Sequence, residues 1–128
     1  MPRALLSIRD RLDRVGVLLS GLCAVHCLLG IVLVGFLGLG GQMLFAPEVH
    51  RIGLALAVAV GFVSLSLGVL RHGRIEPIVL GVTGLGLMTA ALFVEHGMPE
   101  AVLTIAGVAL VALAHIRNLY GRNLHKPA

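Results

Sequence analysis

Cys23, His26 and Cys27 are the residues of this chain best suited to chemistry, and they include both of its cysteines. On a helix, positions i, i+3 and i+4 share one face. The spacing therefore predicts that two sulfurs and an imidazole point to one place, with Ser20 a turn earlier and Gly30 leaving room beside them. Thiolate and imidazole are ligands of soft and borderline metal ions. Thiols one turn apart can share a soft cation through bonds of about 2.3 Å. Three ligands leave one coordination position open, as a carrier requires. A disulfide suits the spacing less well, because an undistorted helix does not readily supply its Cβ geometry. The plain alternative is a pair of small buried hydrophobes beside a histidine satisfied by a neighbouring helix. Three such residues on one face, inside an apolar run, favour metal or thiol chemistry over that alternative.

Further donors lie elsewhere in the chain. Glu48, His50 and Arg51 fall in one short polar stretch, and Glu95, His96 and Glu100 fall in another. Carboxylate beside imidazole, twice, can collect cations, although loop residues are polar in any case. Thr104, Gly107, Val111, His115 and Asn118 form a stripe at helical spacing. His115 is therefore either a further ligand or a hydrogen-bonding residue that locks helices together. His72 and His125 sit in charged segments and read as surface residues. Nucleophilic catalysis has little support: Ser20 shares the cysteine face, but no carboxylate in that apolar run orients His26. No enzymatic activity is expected.

The elements that position these residues follow from composition. The chain has 128 residues, 58% of them hydrophobic and only 12% charged, with a mean hydropathy of +1.02. A soluble domain carries about 25% charged residues. So few charges cannot cover a water-soluble surface, and the apolar runs lack the charged face that a soluble helical bundle needs. The sequence predicts an all-α integral membrane four-helix bundle, a single domain with spans at about 15–39, 52–70, 77–94 and 101–119. The first apolar run, Val15 to Leu39, is too long for a cleavable signal peptide and reads as an uncleaved span. Before it, Leu5, Ile8 and Leu12 at helical spacing suggest a short surface helix. Gly40, Gly41 and Pro47 mark the following turn, while Pro77 and Pro99 suit helix starts.

Of the ten Lys and Arg residues, nine fall on one side of these spans: Arg3, Arg9, Arg11, Arg14, Arg71, Arg74, Arg117, Arg122 and Lys126. Only Arg51 lies opposite. The asymmetry predicts that both termini face the cytoplasm, because cytoplasmic loops carry the excess of Lys and Arg. The net charge of +4 thus reads as membrane topology and not as a nucleic-acid surface. Small residues repeat at four-residue spacing (Gly16, Ser20 and Ala24; Gly53, Ala57 and Gly61; Gly86 and Ala90). Ser64, Gly68, Gly81 and Gly84 continue the theme, which predicts close helix packing in the bilayer. Glycine-rich helices on so short a chain leave room for a homo-oligomer, since four short helices barely enclose a path.

The run Ser20-Gly-Leu-Cys23-Ala-Val-His26-Cys27, with Glu48-Val-His50, Arg71-His72 and Ala114-His115-Ile-Arg-Asn118, resembles the MerC domain family over nearly the whole chain. The resemblance implies a small multi-pass protein of the inner (cytoplasmic) membrane that takes up mercuric ion, with Cys23 and Cys27 as thiolate ligands on the path. No cysteine follows Cys27, whereas mercury-transporting members look like proteins with a second cysteine group. His26 adds an imidazole, so the candidate cargo is a soft metal ion of the Hg, Cu or Zn type. The metal-site candidates are Cys23, His26, Cys27, His115, Glu48, His50, Glu95 and His96, and the partners are the lipid bilayer and the ion. A membrane thiol–disulfide oxidoreductase is the alternative, weakened by the lack of a second cysteine pair to relay electrons; a purely structural membrane protein is the other.

Overall fold

The structure, a computed structural model, describes residues 3–36, 47–95 and 97–120. They form four α-helices: α1 Arg3–Gly30, α2 Pro47–His72, α3 Glu76–Ala91 and α4 Met98–Tyr120. A π-helical turn, Ile31–Phe36, extends α1. Among the described residues no strand is present, as hydropathy without period-two alternation requires.

The helix ends carry the residues that helix physics asks for. Pro47 opens α2 with Glu48 in the first turn, and Arg71 and His72 close it. Glu100 lies in the first turn of α4 and Arg117 in its last. Acidic residues at N-termini and basic ones at C-termini complement the helix dipole. Glu76 and Pro77 start α3, where a proline N–H would have no helical partner anyway. Between α2 and α3 the chain reverses through Gly73, whose φ of +67° is a left-handed conformation that glycine adopts without Cβ strain.

Three of the helices, α1, α2 and α4, are long and apolar enough to cross a membrane by length and composition. α3 is apolar but has 16 residues, ending short of the expected limit near residue 94. At 1.5 Å per residue it spans roughly 24 Å, against a hydrocarbon core of about 30 Å. The expected surface helix before the first span is continuous with it as one α1 of 28 residues. Large apolar side chains such as Leu18, Leu22, Phe62, Leu70 and Phe93 point outward, which is the surface lipid demands. Even the outward hydroxyls are satisfied, since Thr83 and Thr89 donate to the carbonyls of Val79 and Leu85, each at 2.8 Å.

The bundle runs up and down. α3 and α4 pack most tightly, through glycines: a Cβ on Gly84 would stand 2.6 Å from the Gly107 carbonyl oxygen, and one on Gly107 2.7 Å from that of Gly84. The predicted small-residue packing is thus realised where two backbones meet. Met88, Val108 and Val111 form the apolar core, with Leu54, Leu85 and Cys23 against it. Polar side chains collect at the two ends of the bundle. One end, where α1 begins and α2 and α4 finish, is here called the termini end; the other, where α2 and α4 begin, the hairpin end.

Candidate metal centre

At the hairpin end, α1 supplies His26 and Cys27 and α2 supplies His50. One donor atom from each lies within 4.8 Å of the others. A tetrahedral ion with bonds of about 2.0–2.3 Å holds its ligands roughly 3.3–3.8 Å apart, so small side-chain adjustments suffice to close this group on one cation. The two imidazoles meet edge to face, with ring centres 5.5 Å apart and planes at 60°. Cys27 is buried and both histidines are half-buried, so the group is protected without being sealed. Neither cysteine is in a disulfide. Glu100, from the first turn of α4, places a carboxylate oxygen 3.6 Å from His50 Nδ1.

The group differs from the expected Cys-His-Cys trio in one member. Cys23 lies against the apolar core, and its Sγ is 3.7 Å from where a Cβ on Gly53 would stand. The physical reason is axial: position 23 is a full turn further from the hairpin end than 27, level with the core residues Leu54, Met88 and Val108. Cys23 instead lines a small cavity with Ser20, Met88 and His115. The second imidazole comes from His50, a residue distant in sequence but a neighbour in the bundle. Glu48 and Glu95 are exposed and lie outside this three-residue group. His96 lies outside the described residues, as does His125.

At the termini end the stripe on α4 is buried as its spacing predicts. His115 Nδ1 is 2.8 Å from Asp13 Oδ1, and the Ser64 hydroxyl donates to the same oxygen at 2.6 Å. Asn118 Nδ2 donates to Asp13 Oδ2 at 2.9 Å and to the Ser64 carbonyl at 3.0 Å. The backbone N–H of Arg74 donates to His72 Nδ1 at 3.0 Å, which leaves the proton on Nε2 to be donated to Asn118 Oδ1 at 2.8 Å. Asp13, Ser64 and Asn118 are 0% exposed and His115 1%. Glycines make the close fit: a Cβ on Gly16 would stand 2.5 Å from His115 Nε2, and one on Gly68 would overlap the Asn118 amide. This is a helix lock joining α1, α2 and α4. His115 makes the hydrogen bonds expected of it in the second of its two readings.

Asp13 and Ser64 were not singled out as site residues from the sequence. Their signal was periodicity: Asp13, Gly16 and Ser20 share the α1 face that carries Cys27, and Ser64 lies one turn from Gly68 on α2. His72, expected on the surface, is half-buried in this network. Glu100 was visible as a polar loop residue, but its approach to His50 depends on how α4 packs on α2.

The chain matches the family described as MerC mercury resistance protein over residues 13–120. That match covers most of the sequence and includes every residue of both clusters, so the chain belongs to the MerC family. No curated protein and no solved structure matches it.

Proposed function

We propose that this MerC family member binds a soft or borderline metal cation at His26, Cys27 and His50 and carries it through the membrane. Membership suggests mercury-related membrane transport, and three helices apolar enough to span a bilayer fit a multi-pass protein. The observation that carries the reading is the convergence of a thiol and two imidazoles within 4.8 Å, from two different helices. A thiol and two imidazoles are each strong ligands, and lipid is a costly place to gather them without a metal ion.

The charge asymmetry of the loops supports an inner-membrane orientation with both termini in the cytoplasm, so the hairpin end faces the incoming ion. The route inward passes Cys23, one turn along α1 from Cys27, and the cavity it shares with Ser20 and His115. Three protein ligands leave the fourth position of a tetrahedral ion open, and ligand exchange at that position lets the ion move on. Full-length protein purified from metal-supplemented cells is expected to retain one ion per chain, and Cys27→Ser and His50→Ala to lose it. Vesicles containing the protein are expected to accumulate the ion faster than empty ones. Equal metal content in wild type and both variants would overturn the reading.

A further inference from the structure

We propose that the hairpin-end cluster is a single-thiolate site for a four-coordinate divalent cation of the zinc class, in which Glu100 positions His50. This rests on the metal-binding reading above and specifies its cargo. Two observations carry it. The first is the donor count. Only Cys27 of the two cysteines enters the cluster, the other donors being imidazoles, while Cys23 is taken up by the apolar core. A mercuric ion is best served by two thiolates in line, whereas one sulfur with two imidazole nitrogens suits borderline divalent ions, of which zinc readily takes a four-coordinate site.

The second is the carboxylate behind the histidine. Glu100 Oε1 stands 3.6 Å from His50 Nδ1. A metal-bound histidine is commonly held by a carboxylate on its other ring nitrogen, which orients the ring and raises its basicity. In this proposal Nδ1 of His50 goes to Glu100, which a small side-chain shift brings within hydrogen-bond reach, and Nε2 goes to the ion. Charge points the same way. On binding, Cys27 releases its proton to water and becomes a thiolate; together with the Glu100 carboxylate it supplies two negative charges. They balance a divalent cation in a setting where net charge is costly. The neighbouring charges Glu48 and Arg51, on the first turns of α2, are both exposed and offset each other.

The test uses full-length protein in detergent micelles with cobalt(II) as the probe, since its visible spectrum reports tetrahedral geometry and a thiolate-to-cobalt charge-transfer band reports sulfur ligation. Wild type is expected to bind one cobalt per chain with both signatures, and zinc to displace it. Glu100→Gln is expected to weaken cobalt and zinc by about 10–100-fold, the usual effect of losing such a partner, and to leave mercuric-ion affinity, which depends on the thiol, unchanged. Cys23→Ser is expected to leave the cobalt spectrum intact. Unchanged cobalt affinity in Glu100→Gln, or an equal loss of mercury binding in it, would overturn the inference. So would disappearance of the charge-transfer band in Cys23→Ser. If Cys27→Ser keeps the band, the metal-site reading itself fails. If it removes the band while Glu100→Gln changes nothing, only the present inference fails.

Discussion

The two ends of this bundle solve opposite problems with similar residues. At the termini end, His115, Asp13, Ser64 and Asn118 give their hydrogen bonds to one another, and no donor reaches far: the contacts run from 2.6 Å to 3.2 Å. At the hairpin end, one donor atom from each of Cys27, His26 and His50 lies within 4.8 Å of the others, and two of the three donors are imidazoles. Each end has a carboxylate next to a histidine. Asp13 is fully buried and touches His115 at 2.8 Å, whereas Glu100 reaches His50 at 3.6 Å with part of its side chain open. Polar groups in a membrane that serve the fold satisfy each other closely, whereas the hairpin-end donors are strong metal ligands gathered in one place.

The comparison breaks if the two ends respond alike to substitution. The largest effect is expected from Asp13→Ala, which leaves His115, Ser64 and Asn118 buried without their shared acceptor and should destabilise the fold by about 3–5 kcal/mol. Equilibrium unfolding in mixed micelles measures this, and metal bound per folded chain should not change. Gly16→Ala drives a methyl into the His115 ring, where the Cβ would lie 2.5 Å from Nε2. Overpacking of that kind costs about 1–3 kcal/mol, seen as a lower denaturation midpoint with the ion still bound. His50→Ala should do the reverse, with metal affinity falling by at least about tenfold, roughly 1.4 kcal/mol. Its stability without metal should fall by less than that of Asp13→Ala, since His50 is half-buried and Asp13 fully so. The smallest effect belongs to Cys23→Ser, which should keep metal stoichiometry intact; a lost ion there would move Cys23 back into the site.

Most of the architecture was legible in the chain. Four apolar segments, their punctuation by Pro and Gly, and the stripe ending in His115 and Asn118 all reappear as helices and as a buried face. Where reading and structure part, the cause is local. Asp13 looked like part of a solvated leader because its neighbours Arg11 and Arg14 are charged and exposed. It is buried because it shares a helical face with Gly16 and Ser20. Cys23 reads as a ligand because i, i+4 spacing allows it; in the bundle it lines the cavity one turn away, and His50 is the third residue beside His26 and Cys27.

By itself, then, the sequence determined the helical membrane class and the family, and it offered His26, Cys27 and His50 among eight candidate donors. Hydropathy, helical period and ligand chemistry are properties of residues along one chain. Only the tertiary structure decided that a His50 nitrogen comes within 4.8 Å of the His26 and Cys27 donors, that Glu100 stands beside it, and that His115 bonds Asp13. Those pairings are set by which helix faces meet, which depends on glycine-sized gaps and crossing geometry across more than a hundred residues of separation in the case of Asp13 and His115.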